Sequence, residues 1–328
     1  MTKFESGLVN WHEWVIRDDA ASVTSWKGHE ALCLNGLAFL PDVSLSEGSI
    51  EVYVGADDVS YCGIAFRIGD VLNYELAYAQ PHTSGRWDAL QYDPVFHGTN
   101  TWQLYYGTGA QQAAEVPKGE WLRLRVDFKD RQAMIRVNNE APLYIPELAH
   151  DHKEGFIGLW SYKPAYFRDF RISDSCNDII NPVEATTVHK HNSGFVEAWF
   201  LHGYGRVESE ANGIVNLSRF LPETVSEANL TRKFVCHEVG EMTLAFGFSD
   251  EISIKVDGEL QFAGEHKFKS SPNWADQGYV SPDRQVKLSL PTGVHQIEIL
   301  IRRTEPFGFG FIFALTGGNY ELMPCWDK

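Results

Sequence analysis

Apolar and polar side chains alternate through most of this chain instead of recurring at helical spacing, and Gly, Pro, Asn and Asp fall between the alternating runs. The pattern predicts an all-β protein. Strands are expected in the first half over 49–54, 62–68, 72–79, 101–106, 121–128, 133–137, 156–160 and 166–172, enough for the two sheets of a sandwich. Asn138-Asn139 is placed as the turn of a hairpin, because Asn tolerates left-handed backbone geometry.

Alternation fails between Asp174 and Ser193, where polar residues and Pro182 stop a strand. It resumes over 195–201, 213–217, 241–248, 252–256, 285–290, 295–301 and 310–315. The chain therefore reads as two β-sandwich (jelly-roll) domains in tandem: 1–174, a linker at 175–194, and 195–328. Asp257-Gly258, between Val256 and Leu260, predicts a tight hairpin. The only helical candidate, 222–229, is short and polar and is expected to be a turn or one or two helical turns. In the run Phe307-Gly308-Phe309-Gly310-Phe311 the alternation puts the rings on one face, where they are expected to be buried. The other face is left bare for a close neighbour.

Composition narrows the partners. With 28 Lys and Arg against 44 Asp and Glu, the formal charge of -16 repels phosphate backbones and anionic lipid, so neither nucleic acid nor a membrane is expected. No signal-like segment opens the chain and no apolar run is long enough to span a bilayer. The expected location is cytoplasmic as the sequence stands, or extracellular if a signal has been removed. The five Cys are scattered and lack zinc-site or redox spacing, which fits free thiols. No cofactor is required; a structural calcium is allowed by Asp18-Asp19 and Asp57-Asp58, with solvated acidic turns as the alternative. Oligomeric state is left open.

The elements Gly48-Ser49-Ile50-Glu51-Val52, Gly63-Ile64-Ala65-Phe66-Arg67, Asn73-Tyr74, Gln91-Tyr92, Trp102, Gly119-Glu120-Trp121, Ala133-Met134-Ile135-Arg136-Val137 and Tyr166-Phe167-Arg168-Asp169-Phe170 carry a likeness. In their order the first domain resembles the concanavalin A-like lectin/glucanase (laminin-G-like) jelly rolls, particularly bacterial members related to sugar hydrolases. Through Gly247-Phe248-Ser249-Asp250 and Val256-Asp257-Gly258 the second domain resembles galactose-binding-like sandwiches. The resemblance implies carbohydrate as ligand. The Glu-x-Asp-x-x-Glu strand of the laminarinase-type members is absent, and Tyr74-Glu75-Leu76-Ala77 stands where keto-disaccharide hydrolase-like relatives carry Tyr-Glu-x-Gln.

Strand alternation places Glu51 on the polar face of 49–54, and Gly63, Ala65 and Arg67 opposite the apolar set Cys62, Ile64, Phe66 and Ile68. Arg67 is expected to reach the Glu51 face. The two small residues would then give a floor with room for a sugar ring; the alternative is a structural Glu51–Arg67 ion pair. Sugars need hydroxyl partners and aromatic faces, and Trp87, Gln91, Tyr92, His97 and Trp102 supply both within one loop-rich stretch. The expected ligand-binding set is Glu51, Arg67, Trp87, Gln91, Tyr92, His97 and Trp102. Hydrolysis of a glycosidic bond would need two carboxylates about 5–10 Å apart, for which Glu51, Glu75 and Asp88 are the candidates. A hydrolase or lyase, and a structural or protein-interaction module, are the competing readings.

Overall fold

The chain is all-β and forms two β-sandwiches of jelly-roll type, seen in a computed structural model that describes residues 13–176, 194–268 and 277–325. Apart from its ends, the predicted linker over 175–194 lies outside the described residues. The chain divides into two compact units, Met1–Val95 with Tyr105–Ala185 and Phe96–Leu104 with Thr186–Lys328.

The first thirteen strands are β1 (Val15–Trp26), β2 (His29–Leu45), β3 (Gly48–Gly55), β4 (Tyr61–Asp70), β5 (Asn73–Ala79), β6 (Leu90–Tyr92), β7 (Val95–Phe96), β8 (Thr99–Asn100), β9 (Gln111–Gln112), β10 (Leu122–Lys129), β11 (Gln132–Val137), β12 (Leu143–Ile145) and β13 (Gly155–Ser173). The long β13 joins the two layers. Its first half pairs with β4, from Phe156 to Tyr162, and its second half with β3, from Tyr166 to Ser173. From β3 the hydrogen-bonded order runs on to β10, β11 and β12; from β4 it runs to β5, β6 and β9. Phe66 of β4 meets Phe128 of β10 across the layers, with ring centroids 5.2 Å apart. Of the residues that alternation predicts to face inward, Ile50, Val52, Val54, Cys62, Ile64 and Phe66 are buried there, whereas Ile68, past the register shift after Phe66, is buried in a different cluster with Ala65, Leu76 and Tyr78.

Several expectations are corrected. Two predicted strands, 156–160 and 166–172, are the two halves of β13; Lys163-Pro164 breaks the alternation, but the chain absorbs the break as a register shift with Lys163 at φ 69°. Residues 101–106 are turns, not a strand. The strands β1 and β2 were not legible, since β1 reads VIRDDAASVTSW, with polar residues at both parities. Asp18 and Asp19 fall inside β1, not in a loop. The Asn138 turn between β11 and β12 is as expected, with Asn138 left-handed at φ 50°.

The second unit is built from β14 (Ala198–Leu201), β15 (Gly205–Glu208), β16 (Ile214–Asn216), β17 (Glu227–Cys236), β18 (Gly240–Phe248), β19 (Asp250–Val256), β20 (Glu259–His266), β21 (Arg284–Leu290), β22 (Gly293–Arg302), β23 (Gly310–Thr316) and β24 (Tyr320–Leu322). One sheet runs β15-β14-β17-β22-β19-β20, with β24 also on β17; the other runs β16-β23-β18-β21. Between them lies a core that includes Trp199, Phe234, Phe246, Phe248 and Phe313. Of the two expectations for 222–229, the turn is found, with Val225 N donating to Pro222 O at 2.9 Å, and the helical one is not: Glu227 already opens β17, whose buried positions Ala228, Leu230, Arg232, Phe234 and Cys236 alternate strictly. Asp257 at φ 52° and Gly258 at φ 81° form the tight β19–β20 turn.

The segment Phe96–Leu104 is part of this second unit. Gly308 N donates to Asn100 O at 3.2 Å and Val280 N to Gln103 O at 3.0 Å. A Cβ on Gly278 would lie 2.4 Å from Gln103 Nε2, one on Gly308 would lie 2.2 Å from Gln103 Oε1, and one on Gly310 would lie 2.9 Å from Leu104 Cδ2. The bare glycine face of the 307–311 run is thus occupied by Gln103 and Leu104. Phe309 and Phe311 are fully buried in the core as expected, while Phe307 is half-buried against Trp102, with centroids 4.8 Å apart.

Candidate functional site

On the outward face of the β4 layer of the first unit, the register lines up Gln91, Tyr78, Gly63 and Trp160 across β6, β5, β4 and β13. Tyr61 and Tyr162 pair in β4 and β13 two positions along from Gly63 and Trp160, on the same face. Gly63 is needed for this packing. A Cβ there would lie 2.1 Å from Ala77 O and 2.6 Å from Tyr78 Cβ, so only glycine lets Tyr78 lie so close. The Tyr78 ring stands 5.6 Å from Trp160 and 5.9 Å from Tyr61; Tyr61 in turn stands 4.9 Å from His82 and 5.8 Å from Tyr162. Tyr162, 59% exposed, forms the rim.

Polar groups converge on one end of this aromatic patch. A 3-10 turn over Pro81–Thr83 carries His82, whose Nδ1 lies 3.1 Å from Ser60 O. Buried Gln80 donates from Nε2 to Asp88 O at 2.7 Å and to Gln91 Oε1 at 3.1 Å. That leaves the Gln91 Nε2 group buried, in a residue only 2% exposed, with no hydrogen-bond partner. Arg86 and Asp88 form an ion pair at 3.4 Å beside it. Burial and then the Asp88 charge push the Tyr61 phenol up, and burial pulls His82 below its ordinary value, so both rings are neutral at pH 7.

Of the residues expected to bind ligand, the structure brings Gln91 to this patch, together with Asp88 from the carboxylate candidates. Arg67 does not reach Glu51. It sits at a β-bulge with φ 46°, which turns its side chain off the outward face; the side chain is buried, Nη2 donates to Ser46 O at 2.8 Å, and the guanidinium lies 5.5 Å from the Phe128 centroid. Glu51 is half-exposed on β3, with Arg125 and Arg171 as its cross-strand neighbours. The floor expected at Gly63 and Ala65 has no headroom, since both are fully buried and Tyr78 fills the space. Tyr92 is an interior residue whose hydroxyl donates to Glu75 Oε2 at 2.6 Å and accepts from Ala149 N at 2.8 Å. Trp87 is half-buried in the turn before β6. His97, with Nδ1 2.7 Å from Ser218 O, and Trp102 belong to the second unit.

The three candidate carboxylates also separate. Glu75 shares the inward face with Phe66, is fully buried, and accepts from Tyr92 and from His150 N at 2.9 Å; burial pushes its carboxyl up. Glu51 is on the outside of the other layer and Asp88 on the turn above the patch, so no two of them flank one bond. Among the described residues no group of three or more His, Cys, Asp or Glu could hold a metal ion. Asp57 accepts from Trp26 Nε1 at 2.7 Å and lies 3.7 Å from Lys27 Nζ, while Asp58 caps Val59 N at 2.7 Å.

Tyr61, Gln80, His82 and Tyr162 are not among the residues expected from the sequence, while Tyr78, 3% exposed, packs in a core cluster with Ala65 and Leu76, and Trp160 is half-buried against it. The available signal was parity: Tyr61, Gly63 and Ala65 share one face of β4, as Trp160 and Tyr162 share one face of β13.

No family model matches the chain, and no curated protein matches it. Among solved structures it is similar to a carbohydrate binding module, CBM66, from Bacillus subtilis, at 16% identity over 48% of this chain and 93% of that one, TM-score 0.39. It is also similar to a Bacillus subtilis protein of unknown function with a galectin-like fold, at 11% identity over 50% and 90%, TM-score 0.37. A third is the mouse laminin alpha1 chain, domains LG4-5, at 12% identity over 94% and 93%, TM-score 0.31. At these identities and TM-scores none of them bears on the chemistry of the site.

Proposed function

We propose that the protein binds carbohydrate, holding a sugar on the outward aromatic face of β4, β5 and β13. The reading is carried by Gln91: a buried amide donor without a partner costs about 1–3 kcal/mol, and here it lies at the end of a face whose rim offers Tyr61, Trp160 and Tyr162. A sugar hydroxyl accepting from Gln91 Nε2 offsets that cost, while the C–H face of the ring packs on the aromatic rim.

Gln91→Leu separates binding from stability. It removes the orphan donor along with an acceptor for Gln80, so folding should change little, within about 1 kcal/mol, while affinity for a sugar identified on a glycan array falls about tenfold or more. Tyr162→Ala, at an exposed position, should weaken binding in the same direction. Unchanged affinity in both variants, or silence of the wild type across neutral and acidic glycans, overturns the reading.

A further inference from the structure

The outer face of the larger sheet of the second unit carries a groove of about 490 Å3, lined by side chains of β17, β19 and β22 and walled by His202 after β14. That volume lies in the usual range of small-ligand sites, about 300–1,000 Å3. Register makes its floor a grid of two rows: Asn229, Leu300 and Ser253 in one, Thr231, Glu298 and Lys255 in the next. The second row is unusual. Lys255 and Glu298 are directly opposite, a position in which opposite charges ordinarily pair, yet no ion pair joins them, whereas the row beyond Asn229 has its Arg302 tied to Glu227 at 2.9 Å and its Glu251 to Lys267 at 2.8 Å. Gln296 Nε2 donates to one oxygen of Glu298 at 3.1 Å. On the side of β14, Phe200 pairs with Thr231 and its ring lies 5.3 Å from His202.

We propose that this groove is a second saccharide-binding site, which takes a neutral sugar through a pair of neighbouring hydroxyls held between Lys255 and Glu298. Each sugar hydroxyl both donates and accepts. An ammonium that only donates, a carboxylate that only accepts, and Asn and Thr groups around them match that double character. Leu300 supplies the apolar spot beneath a ring's C–H face. The two opposite charges cancel within the groove, and Glu298 together with the chain's net charge of -16 disfavours a polyanion. The site draws on no residue of the first unit, so it stands or falls separately from the patch around Gln91.

The test is affinity electrophoresis of the full chain in native gels cast with neutral polysaccharides (a β-glucan, a xylan, a galactan, a fructan) or with polygalacturonate. Four forms are compared: wild type, Gln91→Leu, Lys255→Thr with Glu298→Thr, and Asn229→Ala. Removing charge-assisted hydrogen bonds at Lys255, which is exposed, and Glu298, which is half-buried, should weaken retention by at least one neutral polysaccharide about tenfold, with Asn229→Ala weakening it in the same direction. If the Lys255/Glu298 double variant and Asn229→Ala are both retained like the wild type while Gln91→Leu is not, the groove is refuted and the first site stands. Retention by polygalacturonate alone refutes a neutral ligand. Absence of retention by every neutral polysaccharide refutes this site outright.

Discussion

A chain cut back to residues 194–328 is expected to fail as a folded domain, although it keeps every strand of the second unit's two sheets. What it loses is the segment Phe96–Leu104. Trp102 contacts Phe268, Tyr279 and Phe307, with centroids 5.7, 5.7 and 4.8 Å away. Gln103, fully buried, donates to Gln277 O at 3.0 Å and is wedged where Gly278 and Gly308 leave room for it. Fully buried Thr99 holds Arg303 Nη1 at 3.3 Å, and the Arg219 guanidinium lies over the Phe96 ring at 4.5 Å. Deleting one large aromatic from a packed site costs about 3–5 kcal/mol, and the truncation deletes such a group together with Leu104 and several buried hydrogen bonds. That total is comparable to the whole stability of a domain, about 5–15 kcal/mol. The fragment should show weak near-ultraviolet dichroism and a broad, non-cooperative melt, and Trp102→Ala in the full chain should lower the stability of the second unit in the same sense. A soluble fragment with a sharp melt near that of the full chain would show that the segment is dispensable.

Residues 101–106 read as a strand because Trp102, Leu104 and Tyr106 alternate with Thr101, Gln103 and Tyr105, but in the turn that forms instead Thr101, Gln103 and Leu104 are buried and Trp102 is half-buried. Tyr105 already belongs to the first unit. The partner of Gln103 and Leu104 was visible in part: the glycines of 307–311 announced a close approach, but no rule of spacing says which distant residue makes it. Strand assignment succeeded where one face was uniformly apolar, as in β3, β10, β18 and β22, and failed in β1, whose positions are polar at both parities.

The site was legible to a smaller degree, for a related reason. Alternation predicted Arg67 outside with Gly63 and Ala65, but one bulge residue resets parity for its own side chain, and a left-handed φ at Arg is not signalled by composition. Layer assignment failed as well. The sequence offers no sign that β13 lies between β3 and β4, so Glu51 and Arg67 were read onto one surface. Gln91 stands out in the sequence by its surroundings of Trp, Tyr and Asp, whereas its donor geometry depends on Gln80, whose reach to Asp88 O and Gln91 Oε1 only the folded turn creates.

The second unit should lose stability as pH rises from about 4 to about 6, and Asp250→Asn should abolish that particular loss. Asp250 opens β19 at φ 66° and is fully buried. Its Oδ1 accepts from Thr304 N and Oγ1, each at 2.8 Å, while Oδ2 is buried with no partner. Burial pushes its carboxyl from 3.8 up to about 6, with the nearby Glu305 charge acting in the same direction and the Thr304 hydrogen bonds opposing it. Below the unfolded value the group is protonated in both states and contributes no difference. As pH rises the unfolded chain releases its proton first, the folded state binds more protons, and unfolding becomes progressively favoured until Asp250 ionises in place near pH 6. A shift of this size corresponds to about 3 kcal/mol. Asparagine keeps an acceptor for Thr304 and carries no charge at any pH, so the difference in unfolding free energy between variant and wild type, in which the other titrating groups cancel, should move in the variant's favour by about 2–3 kcal/mol between pH 4 and pH 7. Urea denaturation of both proteins across that range measures the difference directly. A difference that stays flat with pH would mean that Asp250 ionises in the fold as easily as in the unfolded chain.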